Sequence, residues 1–462
     1  MGTGGSPSLI TCEYPPGSNE EHISDVGIWV GGITPGGDTL VTCGTGDRTS
    51  DEFWPGPAPW DTIWTIERGE GPVDIGGTNT AGERVIYWKD YIPKSDVDFV
   101  TRYGDYHVLD PQRPTAAGYN HESHHPLYLD IIQTVFSWSS KPLNEVLIWT
   151  FYIVPIRHDI QDIFFGIRFD GAIGDVTEGV DIQQDDRSIY YQDLNMIVME
   201  DDQKGLDGES FGALGFMFIP PETKSSRELQ WTYRWGHANI GAGFDNNRYL
   251  ESMASGQIMT NAESYYGGQA WLFFGSYDIE KKDTLRIQMA EILGQGVDGV
   301  LTNAETVKRN AEKGYTIPTA PPPPQLSVKN LNKSIRLNWK PTQENNSETY
   351  DDPGRADSVR VPFEGYRLYK STQSESGPWT LLAEYDIPGN YYGNNIGLEY
   401  EYLDTGLLNN VEYYYTVTAY SKPDTVLGFP PQESSKFESM QVAQPGPTTP
   451  ETVGEVAVVP NP

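Results

Sequence analysis

A mainly β protein built as two sandwiches is the fold this sequence predicts: a large β-sandwich-like N-terminal domain with one short helix, then a smaller β-sandwich. Three observations predict it. At 462 residues the chain exceeds what one ordinary core organises, so about two to four domains are expected. Glycine (48), proline (34), tyrosine (28) and tryptophan (12) are abundant, which suits short strands joined by tight turns. Apolar runs of strand length also recur along the chain with few helical periods between them.

The first such run is Gly27 to Ile33, followed by a Pro35-Gly36-Gly37-Asp38 turn and then Thr39 to Cys43. Two β-branched, apolar runs around a Gly-containing turn form a hairpin signature. Leu127 to Ile156 is apolar with imperfect alternation, as expected of strands buried between two layers. Further strands are expected at Ile163 to Phe169, Asn195 to Met199, Gly212 to Ile219, Gln230 to Trp235, Trp271 to Tyr277 and Thr284 to Ile292. One helix follows. Val300, Ala304, Val307 and Ala311 recur at helical spacing after Asp298, with Lys308, Arg309 and Lys313 at the far end and Gly314 as a stop; its expected seat is the sandwich edge.

The run Pro318 to Pro324 reads as an extended, stiff spacer between domain 1–317 and domain 325–445, with an extended tail over 446–462. In the second domain strands are expected at Gln325 to Leu331, Ser334 to Trp339, Phe363 to Lys370, Trp379 to Tyr385, Leu398 to Leu403, Val411 to Tyr420 and Lys436 to Val442. Leu337-x-Trp339, Gly365-Tyr366-x-Leu368-Tyr369 and the run from Gly406-Leu407 through Tyr413-x-Tyr415-x-Val417-x-Ala419 resemble fibronectin type III modules, which are immunoglobulin-like β-sandwiches. The resemblance implies that Trp339 is the buried tryptophan and Tyr413 the corner tyrosine. The acidic insert from Gln343 to Asp357 departs from that pattern and is read as a solvated or partner-facing loop.

The charge balance is 32 basic against 65 acidic residues, net −33, which argues against nucleic acid and anionic membranes as partners. No apolar run is long enough to span a bilayer, and Met1 to Ser6 lacks signal-peptide character, so a secretory leader is expected outside this chain. Cys12 and Cys43 are the two cysteines. In an oxidising compartment a bridge between them would contribute roughly 3 kcal/mol by loop entropy, and two buried thiols are the alternative.

The densest oxygen cluster runs from Asp170 to Asp207, with Asp170, Asp175, Asp181, Asp185, Asp186, Asp201, Asp202 and Asp207 as calcium candidates on Gly-containing loops. A solvated acidic region is the other reading. His121, Glu122, His124 and His125 precede Pro126 and read as a surface loop, with a transition-metal site as the sharper alternative. Trp54, Trp60, Trp64, Trp88 and Tyr91 lie in or near Gly/Pro-rich segments, and either pack in the core or present rings to a sugar. Neither a phosphate loop nor a nucleophile elbow is present.

Fibronectin-like modules imply an extracellular location and adhesive or spacing work. The final Val458-Val459-Pro460-Asn461-Pro462 resembles the entry to the C-terminal sorting domain of type IX-secreted bacterial proteins, and the large domain resembles uncharacterised N-terminal regions of such proteins. The expectation is a non-enzymatic secreted or cell-surface protein acting in adhesion or as a subunit of an extracellular assembly. Its partners would be other surface proteins, further copies of itself or glycans. The alternative is a carbohydrate-binding or glycan-cleaving protein using paired carboxylates in the large domain.

Overall fold

In the computed structural model the described residues are 12–44, 52–68, 71–107, 124–139, 142–175, 186–201, 210, 212–220, 228–236, 248–261, 268–315, 317–375 and 377–446. The chain divides into two compact units, Met1–Glu312 and Lys313–Pro462. Both are built from antiparallel strands.

In the first unit two sheets face each other. One has five strands in the order β13 (Gln230–Trp235), β14 (Gln269–Ile279), β9 (Ile160–Asp175), β1 (Glu20–Ile33) and β2 (Thr39–Cys43). The other has eight, in the order β10 (Asp186–Tyr191), β11 (Met196–Asp201), β12 (Gly212–Ile219), β15 (Leu285–Gln295), β8 (Val146–Pro155), β7 (Leu129–Ser137), β6 (Val97–Gly104) and β3 (Trp64–Glu67). A small ribbon, β4 (Val73–Thr78) with β5 (Arg84–Tyr91), stands beside them. The expected hairpin closes in register, Ile33 opposite Thr39 and Trp29 opposite Cys43.

The core lies between the sheets, where Ile28, Phe165, Ile167, Phe169 and Leu272 meet Phe151, Phe216, Ile287 and Met289. The five-stranded sheet is also covered outside, where Trp29, Val41, Cys43, Trp271 and Phe273 pack on Tyr249 and Met253 of a single π-helical turn, Arg248–Met253. Burial of both faces explains why these strands lack the alternation of a half-solvated sheet.

The helix, α1 (Gly296–Ala311), forms with Val300, Ala304 and Val307 buried and Asp298, Lys308 and Arg309 matching its dipole. It lies across β11, β12 and β15 rather than on the sandwich edge. Val300 reaches the sheet because Gly215 leaves a side chain's worth of space there.

The second unit is a seven-stranded sandwich. β16 (Ser327–Leu331), β17 (Ser334–Asn338) and β20 (Glu401–Thr405) form one sheet. The other has the order β19 (Thr380–Asp386), β18 (Phe363–Ser371), β21 (Tyr413–Ser421) and β22 (Gln441–Ala443). This A-B-E against C′-C-F-G arrangement is the fibronectin type III topology that the motifs resemble. Trp339 is buried with Leu337, Tyr366, Leu368, Tyr415 and Val417, and the Tyr413 hydroxyl accepts a hydrogen bond from the Leu408 backbone N–H at 3.1 Å, the corner geometry of such sandwiches.

The proline segment is not a bare spacer. Asp352 accepts from the Thr319 N–H at 3.1 Å, Ser347 donates to the Pro322 carbonyl at 2.6 Å, and Asn345 donates to that of Pro323 at 3.1 Å. The acidic insert is therefore a clamp folded over the segment, and neither of the expected loop readings describes it. Gly354 permits the closest approach, since a Cβ there would lie 2.0 Å from the Ile317 carbonyl oxygen.

The expected Cys12–Cys43 disulfide is not formed. Cys43 packs on the outer side of the five-stranded sheet, whereas Cys12 packs against the inter-sheet core. The sheet between them prevents bridging. Burial pushes the Cys12 thiol up to about 12.

Candidate interaction surface and inter-sheet cavity

The loop between β19 and β20 carries the most exposed large aromatic residue of the second unit, and it is held by its own polar side chains. Asp386, buried at its start, accepts from the N–H groups of Asn395 (2.8 Å) and Ile396 (2.7 Å). Asn395 accepts from Gly389 and Asn390, and Asn390 accepts from Tyr392 while donating to the buried Glu364 carboxylate at 2.8 Å. Gly393 adopts φ +69° with no room for a Cβ beside Asp386. This network leaves the ring of Tyr391 fully outside, with Tyr392 and Ile396 exposed beside it. A rigid Asn/Gly loop presenting tyrosine is the physics of a preorganised contact surface: large area at low entropic cost.

In the first unit a cavity of about 400 Å³ opens between the sheets. β1 contributes Val26 and Ile28, β8 Trp149 and Phe151, β15 Met289 and Glu291, and β6 Thr101 and Tyr103, with Phe53, Trp60 and Asp61 from the connection between β2 and β3. Val26, Trp149 and Glu291 also wall a second cavity of about 560 Å³, which Asp25, Glu145 and Cys12 line. Glu291 is buried. Trp149 Nε1 donates to its Oε2 at 3.1 Å, and burial pushes the carboxyl up to about 7 despite that bond. Tyr103 donates to Gln133 at 2.8 Å. No Lys, Arg or His is among the described residues lining either cavity.

Of the tryptophan-rich segment, only Trp60 lines the cavity, and its ring is covered on one side by the Arg102 guanidinium 3.7 Å from the centroid. Trp64 and Trp88 pack with Ile66, Ile75, Tyr91 and Val100 in a separate small core, and Trp54 bridges to Gly104.

The calcium candidates divide. Asp181, Asp185, Asp202 and Asp207 lie outside the described residues, as does the side chain of Asp175. Asp170 is engaged by Arg168 at 3.3 Å and Gln269 at 2.8 Å. Asp186 and Asp201 are brought directly opposite each other across β10 and β11, both buried, and accept from the N–H groups of Ile173 (3.1 Å) and Ser210 (2.9 Å). No group of three metal-binding side chains occurs among the described residues.

His121 and Glu122 lie outside the described residues, and His125 is exposed. His124 is buried, a correction to the surface-loop reading. Its Nε2 lies 2.8 Å from the Asp105 carbonyl and its Nδ1 3.5 Å from Glu52. Burial alone would lower its pKa, but Glu52 and Asp105 raise it overall. Asp105 in turn accepts from Leu127, Leu129 and Thr42, a structural knot that ties the segment 124–129 to β2 and β6.

No known family's sequence pattern matches this chain, and no curated protein does. Among solved structures, a human fourth fibronectin type III domain is 17% identical, covering 30% of this chain and 84% of its own, with a TM-score of 0.17. An Fn3-like protein from Clostridium thermocellum is 20% identical over 29% of this chain and 98% of its own, TM-score 0.16. A bacterial glucoamylase complexed with acarbose is 11% identical over 65% of this chain, TM-score 0.33, and the match spans only 32% of that protein. Among the described residues, no helix is long and apolar enough to cross a membrane.

Proposed function

We propose that this is a non-enzymatic extracellular protein that works by adhesion, docking other surface proteins or further copies of itself through the loop between β19 and β20. One observation carries the reading: Tyr391, Tyr392 and Ile396 are exposed on a loop whose backbone is fixed by Asp386, Asn390 and Asn395. Tyrosine side chains anchored in this way are the residues that dominate interface energies. Delivery outside the cell, by a type IX route or another, belongs to the same reading through the fibronectin-like topology and the Val-Pro-Asn-Pro sequence, whose residues lie outside those described. Calcium belongs to it through Asp186 and Asp201, two buried carboxylates that β10 and β11 place opposite each other.

The test is attachment of labelled protein to cells of its source, together with sedimentation velocity, for the wild type and a Tyr391→Ser, Ile396→Ser variant. An unchanged melting temperature with at least ten-fold weaker attachment or self-association is expected. Equal binding by both proteins removes the loop from the account. The glycan reading would use the inter-sheet cavity, where Trp60, Tyr103, Asp61 and Glu291 are present. It is the weaker reading because most of the wall is hydrocarbon and a sugar requires many hydrogen-bonding partners. Turnover of any polysaccharide in a hydrolysis panel, lost in Glu291→Gln, would reverse that order.

A further inference from the structure

The inter-sheet cavity has an unbalanced charge pattern. Glu291 sits where its carboxylate is desolvated, with the Trp149 indole N–H, a neutral donor, as its hydrogen-bond partner. Buried carboxylates are ordinarily paired with a cation, and none lines this space among the described residues. The remaining ionisable groups along the two chambers are also acidic or neutral: Asp61 and the Tyr103 phenol in the first, and Asp25, Glu145 and the protonated Cys12 thiol in the second. Asp25 is engaged by Arg168 at 3.0 Å, and Glu145 accepts from Tyr14 at 3.0 Å and Asn303 at 2.9 Å. Their partners lie outside the cavity walls. Arg102, stacked on Trp60, is engaged by Asp130 at 2.9 Å and does not line either chamber. The walls themselves are aliphatic and aromatic, and the rings of Trp149 and Tyr103 offer faces that attract positive charge. The volume is that of an ordinary small-molecule site.

We propose that this cavity binds an amphipathic organic cation, an alkyl- or arylammonium whose hydrocarbon body fills the apolar chamber and whose N–H groups donate to Glu291. The ammonium supplies the counter-charge that none of the described wall residues does, and the body displaces water from hydrocarbon wall. Binding is non-covalent. A carboxylate ligand of the same length is repelled by Glu291, and an alcohol gains only the apolar contribution.

The test is calorimetric titration of the full chain at pH 8, where Glu291 is ionised, with n-hexylammonium, n-hexanol, hexanoate and a methyl glucoside. Hexylammonium should bind at least ten-fold more tightly than hexanol, with no heat from hexanoate or the glucoside. In Glu291→Gln the ammonium preference should vanish while hexanol binding persists, which shows that the cavity survives the substitution. Equal affinity for hexylammonium and hexanol in the wild type overturns the proposal without recourse to any variant. So does binding of the glucoside alone, absence of binding by every probe, or an undiminished ammonium preference in Glu291→Gln.

Discussion

Glu291 shows how much one side chain's environment decides. Its carboxyl is raised from the ordinary 4.5 to about 7 by burial, so between those values the folded chain holds a proton that the unfolded chain has released. Its stabilising contribution is therefore complete below about pH 4.5 and is lost as pH rises through about 7. Glu291→Gln should remove that decline and stabilise the protein at pH 8 by about 3 kcal/mol or less. Urea midpoints at pH 5 and pH 8 for both proteins check this. Asp105, raised to about 6 by burial, contributes in the same direction and remains in the variant, so some slope will persist. Tyr413→Phe should cost about 1 kcal/mol through the lost bond to Leu408, read in the denaturant midpoint of the second unit. Tyr413 and Trp339 were legible because they sit within dense motifs. Glu291 was hidden among 65 acidic residues, although one signal was available: it follows Leu285, Ile287 and Met289 on the inward face of a strand, where a carboxylate is out of place. Tyr391 offered another, an aromatic residue set among Gly and Asn with no strand to bury it.

At the scale of elements, most strands of both units could be read from β-branched and aromatic runs, and α1 from its period and charges. What could not be read was which face each element covers. β14 is buried along both faces, so its run of Ala270 to Phe274 carries no period of two, and α1 has the same pattern whether it covers a sheet face or an edge. The ribbon of β4 and β5 escaped notice because its Trp88, like Trp64 of β3, resembles an exposed ring in a Gly/Pro-rich segment until Ile66 and Val100 are known to pack with it. The clamp over residues 317–323 was hidden for a different reason: its acidic composition reads as solvated, yet Asp352 is spent on the Thr319 N–H and Ser347 on the Pro322 carbonyl. Gly354→Val should therefore destabilise the second unit by about 1–3 kcal/mol, since the side chain would strike the Ile317 carbonyl. Limited proteolysis should also begin to cut at 317–324 in the variant and spare it in the wild type.

For the whole molecule the dominant quantity is a net charge of −33. Copies of such a chain repel one another at low ionic strength, where the screening length is about 30 Å at 0.01 M salt and shrinks to about 8 Å at 0.15 M. If the tyrosine loop joins copies of this chain, association should strengthen between those salt concentrations. If it docks a basic surface protein, the same change should weaken binding. Sedimentation velocity alone and binding to source cells, each at both salt levels, separate the two. Removing calcium should lower the melting temperature if the Asp186–Asp201 pair holds an ion, and an ion at about 100 times its dissociation constant is worth roughly 2.7 kcal/mol.

The clamped proline segment also determines how the second unit would bear a pull. Tension arriving from the N-terminal side does not reach β16 directly, because the chain is first held sideways at Thr319, Pro322 and Pro323 by Asp352, Ser347 and Asn345. Those bonds run across the chain, so a pull along the segment loads them together, whereas the ends of a hairpin separate one bond at a time. Under stretching, the module would behave as a fibre with a reinforced first link, and the earliest extension seen in a force trace would be release of the clamp, with the sandwich still intact.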